Sequence, residues 1–212
     1  DSHYLTPVIT KKESYLVRKD FVPFKNKKAL FAMTAHIIFN KIDNKNTVSK
    51  MGDLCIKLFH ENSIGTIIKH IPGHGLAKSD SHNFKPIVKK SLKHLNDNDF
   101  FAFRNKKSFF AMTAHVVYEK LDNNNTATHS KKIINYIRNK IGFKNILISD
   151  DLSMKSLKGD LKTNTVKTFN AGCNIALHCN GNFNEMKIVA ENSPLISTFI
   201  IKKTSQFYKI LS

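Results

Sequence analysis

The 212-residue chain predicts an α/β fold built on a parallel sheet. Two observations carry that expectation. Short β-branched apolar runs alternate with segments of helical apolar spacing, the rhythm of βα units. Conspicuous polar clusters (Lys69-His70, Thr113 to His115, Ser149-Asp150-Asp151 and His178) fall at or near the C-terminal ends of the expected strands. That is the layout of the functional face of a (β/α) arrangement.

Taken in order, Leu30–Phe39 reads as a first strand. Met51–Asn62 reads as a helix, with Met51, Leu54, Cys55, Leu58 and Phe59 on one face. Gly65–His70 is a strand because Thr66-Ile67-Ile68 is β-branched and apolar. It ends at Pro72, Gly73 and Gly75, which break a ladder and permit an irregular loop. Ile87–Asn96 is expected to be helical, with Asn96-Asp97-Asn98-Asp99 as its exit. Phe109–Tyr118 reads as one buried strand after the polar turn Arg104–Lys107. Ser130–Ile141 reads as a helix closed by Gly142, and Asn145–Ser149 as a strand closed by Asp150-Asp151. Thr163–Ala171 is a helix ended by Gly172, and Asn174–Leu177 the next strand. Phe183–Ala190 and Ser197–Leu211 are the last helices.

The chain repeats itself. Asp1-Ser2-His3 recurs 79 positions on as Asp80-Ser81-His82, and the same offset maps Asp20-Phe21 onto Asp99-Phe100. It also maps Asn26-Lys27-Lys28 onto Asn105-Lys106-Lys107, and Ala32-Met33-Thr34-Ala35-His36 onto Ala111-Met112-Thr113-Ala114-His115. The period exceeds that of solenoid repeats, roughly 20–50 residues. Residues 1–49 therefore read as a truncated copy of 80–128, joined to a longer unit spanning 50–212.

Composition narrows the function classes. The formal charge of +18 comes from dispersed lysine pairs, with little arginine and no nucleic-acid-binding motif. Solvated helix faces explain it, and no specific nucleic-acid partner is expected. No run approaches the roughly 18–20 apolar residues of a membrane span. The N-terminus carries no signal-peptide pattern. Cys55, Cys173 and Cys179 are sparse and form no CxxC pair, so reduced thiols in a cytoplasmic protein are expected.

The stretch Lys69–His82 concentrates chemistry after a strand. Asp80 and His82 stand at i, i+2, so in an extended loop both can point the same way. The carboxylate would fix one imidazole nitrogen and leave the other for proton transfer near neutral pH. Asp150, ending a buried strand at the open face, can serve as a nucleophile. His70, His74, Asp80 and His82 could also ligate zinc. Against that, Pro72 and Gly73 prevent an i, i+4 helical pair, and no cysteine joins the set. For His36, His115 and His178, each in an apolar run, a satisfied core or rim role is the simpler reading.

Lys69-His70-Ile71-Pro72-Gly73-His74-Gly75, then Asp80-Ser81-His82 and Pro86, resembles the signature of bacterial glycoside hydrolase family 3 β-N-acetylglucosaminidases. Ala111-Met112-Thr113-Ala114-His115 and Ser149-Asp150-Asp151-Leu152-Ser153-Met154 also resemble that family, in the right order. The resemblance implies a TIM-type (β/α) barrel that removes terminal N-acetylglucosamine from muropeptides in the cytoplasm, with retention. It implies Asp150 as nucleophile, His82 as acid/base with Asp80 as its partner, and Lys69 and His70 as sugar contacts. No metal or organic cofactor is implied. A barrel needs about 250 residues. The early strands have no counterpart here, so an incomplete barrel is expected, prone to self-association through uncovered strands. A non-catalytic sugar-binding chain is the rival from another class, and a basic nucleic-acid binder a third.

Overall fold

A computed structural model describes residues 8–9, 13–18, 31–32, 38–39, 45–77 and 85–211. In chain order these form β1 (Val8–Ile9), α1 (Glu13–Arg18), β2 (Phe31–Ala32), β3 (Ile38–Phe39), α2 (Lys45–Glu61) and β4 (Gly65–Ile71). There follow β5 (Ile87–Val88), α3 (Leu92–Asp97), β6 (Phe110–Thr113), β7 (Val117–Tyr118) and α4 (Lys131–Tyr136). The rest are β8 (Ile146–Asp151), α5 (Leu161–Ala171), β9 (Ile175–Leu177), α6 (Phe183–Glu191) and α7 (Thr198–Leu211).

The central sheet runs β2-β4-β6-β8-β9, every pair parallel and each strand beside its predecessor. Sequential parallel order with intervening helices is the connectivity of a (β/α) barrel. Here the described sheet is open, with β2 and β9 at its edges. The expected α/β class and parallel strands are therefore present as a partial barrel.

Several boundaries differ from the sequence expectation, and α2 begins at Lys45 rather than Met51. Ile87–Asn96 is not one helix: Ile87-Val88 pairs as a strand with Val117-Tyr118. The helix starts only after Ser91, whose hydroxyl accepts from the His94 amide as an N-cap. The Phe109–Tyr118 run is likewise two strands in two sheets, because the chain turns out of the main ladder at Ala114–Val116. There the Ala114 N–H donates to the Ile71 carbonyl and the Ala127 N–H to Val116. The predicted Leu30–Phe39 strand is divided in the same way, into β2 and β3. Indeed β1, α1 and β3 stand 79 residues before β5, α3 and β7, and the pairing Val8↔Ile38 reappears as Ile87↔Val117.

Both faces of the sheet are covered. On the outer face Ile68, Ala111 and Leu147 pack against Ile133, Ile134, Ile137 and Ile141. These come from α4 and the π-helical turn Ile137–Ile141, ended by Gly142 at φ 85°. On the other face Ile67, Phe110, Ile146, Ile148 and Ile175 pack against Ile200 and Phe207 of α7. The Phe207 ring meets Phe110 edge-on at 5.1 Å. At the lower rim Arg138 donates to the carbonyls of Phe143 and Asn145 and to Asn174 Oδ1, tying the entries of β8 and β9 to the turn before them.

Ile133 is fully buried in this core and Leu195 is 96% exposed. Ile133→Ala is expected to cost about 2–4 kcal/mol of unfolding free energy, through lost transfer energy and a residual cavity. Leu195→Ala should change it by less than about 0.5 kcal/mol. Urea titrations followed by circular dichroism check both.

Candidate active site

The C-terminal rim of the sheet gathers the polar residues. At the end of β4, Lys69 pairs in register with Met112 but Ile71 with Thr113, so two steps on β4 oppose one on β6 and His70 bulges out of the ladder. At the end of β8, Ile148 pairs with Ile175 and Asp151 with Leu177, so Ser149 and Asp150 together oppose a single residue. The Ser149 hydroxyl fills the gap by accepting from the Leu177 amide at 2.9 Å. Bulges re-aim side chains at strand ends. These two bring His70 Nε2 within 3.3 Å of Asp150 Oδ2 across the intervening β6, with both side chains largely buried.

The two adjacent carboxylates of β8 are not equivalent. Asp151 Oδ1 accepts from the Ser153 and Cys179 amides, and its Oδ2 from the Ser153 hydroxyl at 2.6 Å. It caps its own turn and secures the exit of β9. Asp150 accepts from the Asp151 amide at 2.9 Å and turns its other oxygen to His70. Of the pair, Asp150 is the one presented to the rim.

His115 supports this arrangement from below. Its Nε2 lies 3.0 Å from the Asp151 carbonyl and its Nδ1 2.7 Å from Thr128 Oγ1. A carbonyl only accepts, so Nε2 carries a proton, and Nδ1 can receive the threonine hydroxyl. The ring is fully buried and satisfied, as a core histidine should be. His178 takes the rim role, bonded to Glu185 of α6 at 2.7 Å. Asn180 donates to the same carboxylate oxygen at 2.6 Å.

Of the residues singled out from sequence, the structure brings His70 and Asp150 together and places Lys69 beside His70 on β4. Asp80, His82 and His36 lie outside the described residues. The His74 ring stands 5.5 Å from that of His70. Among the described residues no cluster of three or more histidine, cysteine, aspartate or glutamate side chains has metal-binding geometry. Sequence reasoning missed Asp99, treated as a mere helix exit although the repeat carries it twice. Its Oδ1 accepts from the Gly75 amide at 3.0 Å, so it touches the loop that leads away from His70.

Residues 43–203 match the family model described as glycosyl hydrolase family 3 N terminal domain. Among curated proteins, a β-hexosaminidase of Methylobacillus flagellatus is 28% identical over 142 residues, 65% of this chain and 41% of that protein. A β-hexosaminidase of Neisseria meningitidis serogroup C is 38% identical over 117 residues, 53% of this chain and 32% of that protein. The chain thus spans well under half the length of these relatives. Among solved structures, NagZ from Neisseria gonorrhoeae in complex with N-trifluoroacetyl-D-glucosamine aligns with a TM-score of 0.68 and 28% identity. That alignment covers 77% of this chain and 49% of that one. The β-N-acetylglucosaminidase from Thermotoga maritima gives 0.65 and 26%, covering 85% of this chain and 41% of that one.

Two groups near the rim titrate in one window with opposite sign. Burial pushes the Asp99 carboxyl up to about 6, against the lowering by the Gly75 and Leu76 amides and His94. Its contribution to stability is complete below its ordinary 3.8 and is lost as pH rises through 6. Burial pushes the His129 imidazole down to about 4, assisted by the Lys167 charge. Its contribution is complete above its ordinary 6.5 and is lost as pH falls through 4. Between about pH 4 and 6 the two slopes oppose each other. His129→Gln should make the chain gain stability on acidification relative to wild type, and Asp99→Asn should make it lose stability. Urea unfolding at several pH values in that window reads the slopes, and identical slopes in all three proteins would refute both assignments.

Proposed function

The chain belongs to glycosyl hydrolase family 3, and from that premise we propose that it carries the retaining β-N-acetylhexosaminidase chemistry, with Asp150 as nucleophile. The observation that carries this reading is the 3.3 Å approach of His70 to Asp150 at the C-terminal rim, made by two bulges, while Asp151 is committed to its own turn. Names of the relatives support the substrate class: β-hexosaminidases, and a structure holding N-trifluoroacetyl-D-glucosamine. The substrate is a saccharide with a terminal β-linked N-acetylglucosamine, as in muropeptides or chitooligosaccharides.

In the first step an Asp150 oxygen forms a bond to the anomeric carbon as the bond from that carbon to the leaving oxygen breaks. His82, paired with Asp80, gives its proton to the leaving oxygen. In the second step the now neutral His82 takes a proton from water, whose oxygen attacks the anomeric carbon and releases the Asp150 carboxylate. Two inversions give retention. Most retaining glycosidases set two carboxylates about 5–5.5 Å apart; here an imidazole on the loop after β4 serves as acid/base. Lys69 and His70 bind the sugar.

A second reading, a sugar-binding chain without turnover, is favoured by one observation. Among the described residues the sheet is open, with β2 and β9 at its edges. Release of 4-nitrophenol from 4-nitrophenyl N-acetyl-β-glucosaminide decides between them. Turnover is expected, falling by about three orders of magnitude or more in Asp150→Ala. Turnover that survives in Asp150→Ala overturns the assignment of the nucleophile. Sugar binding without turnover, unchanged in Asp150→Asn, selects the second reading.

A further inference from the structure

The loop that follows β4 leaves the rim along a carboxylate supplied from elsewhere in the chain. Asp99 lies between α3 and the short 3₁₀ turn Phe101–Phe103. Its Oδ1 accepts from the Gly75 amide at 3.0 Å, and the neighbouring Leu76 amide also favours the ionised carboxylate. Its Oδ2 is buried with no hydrogen-bond partner among the described residues. The carboxylate sits so close to the backbone that a Cβ at Gly73 would lie 2.5–2.9 Å from its three atoms. A Cβ at Gly75 would lie 3.2 Å from Oδ1. Both glycines of the Pro72-Gly73-His74-Gly75 segment are therefore explained by the seat they leave for Asp99. From another direction the Tyr118 hydroxyl donates to the Gly73 carbonyl. Tyr118 is itself fully buried, edge-on to Phe100 at 5.2 Å.

The clamped segment has His70 shortly before it, His74 within it, and Asp80 and His82 later in the sequence. We propose that Asp99 is a positioning residue of the site: seated on the backbone of the loop after β4, it holds His70 against Asp150. The proposal rests on the reading of this rim as a sugar site. It assigns to Asp99 no contact with substrate. A carboxylate accepting a backbone N–H makes a charge-assisted bond, stronger than a neutral one and directional. It therefore adds a directional polar tether to a loop whose Leu76 and Ala77 also pack against the core. The repeat duplicates Asp20-Phe21 as Asp99-Phe100.

Two-dimensional NMR of the intact chain tests it without relying on turnover. Asp99→Leu removes the acceptor at similar volume. Expected are upfield movement of the Gly75 and Leu76 amide protons, displaced ring signals of His70, and about tenfold weaker binding of N-acetylglucosamine, the equivalent of one lost charge-assisted hydrogen bond. Asp99→Asn retains an acceptor oxygen of the same shape and should restore the ring signals of His70. Gly75→Ala presses on the carboxylate from the loop side and should displace the same signals. Wild-type His70 signals in folded Asp99→Leu overturn the proposal. If that variant does not fold, wild-type His70 signals in Gly75→Ala overturn it. A wild-type chain that neither binds the sugar nor turns over substrate, yet shows these shifts, refutes the sugar-site reading and leaves the positioning role in place.

Discussion

A parallel sheet with apolar residues on both faces must be covered twice, and every other feature of this chain answers to that requirement. In a closed barrel the inner faces of the strands cover one another. Here Ile67, Phe110, Ile146, Ile148 and Ile175 point to the side away from the crossover helices, and α7 supplies the cover through Ile200 and Phe207. The outer face is closed conventionally by α4 and its π-helical turn. Because Phe207 meets Phe109 and Phe110 near the start of β6, α7 lies towards the entry ends of the strands. The opposite rim, with His70 and Asp150, belongs to the other end of the sheet.

That rim depends on irregularity. A perfect ladder would continue the alternation of faces to the last residue, and neighbouring strand ends would present whatever the period dictated. The bulges at His70 and at Ser149-Asp150 interrupt it on the two strands that flank β6. The ladder is repaired by side chains: Ser149 takes the Leu177 amide, and Asp151 the Cys179 amide. Polar residues that sequence alone would rank as candidates for chemistry thus divide into one that faces the rim and two that substitute for backbone hydrogen bonds.

What could be read from the sequence, and what could not, follows from how local each signal is. The helices ended by Gly142 and Gly172 were legible because both glycines adopt φ above 80°, a conformation that side-chain-bearing residues rarely take. β4 and β8 were legible from β-branched runs ended by loop or acidic residues. Ile87–Asn96 was misread because a two-residue strand has no period to detect, and Lys89–Ser91 carry no strong breaker. Phe109–Tyr118 was misread because it is buried from Phe110 onward, so its division between two sheets leaves no trace in its polarity. Asp150 was singled out over Asp151 by place and by the family resemblance, and the hydrogen bonds of the two carboxylates supply a physical reason for that preference. Asp99 lay beyond local reading altogether, since its partner amide is 24 residues earlier in the chain.

The duplication has a kinetic side. Phe31-Ala32-Met33-Thr34-Ala35-His36 and Phe110-Ala111-Met112-Thr113-Ala114-His115 are the same six residues. Strands from these two segments border β4 on opposite edges, Phe31 opposite Gly65 and Phe110 opposite Ile67. Strand pairing is made by backbone groups, so an edge of β4 that accepts one hexapeptide accepts the other. The nascent chain therefore presents one template and two interchangeable docking strands, and composition cannot arbitrate between them. Connectivity does: right-handed crossovers allow each segment only one side, and β8 then pairs with β6 and commits the choice. An exchanged pairing would require a left-handed crossover, so handedness rather than composition keeps the two copies apart until β8 pairs with β6.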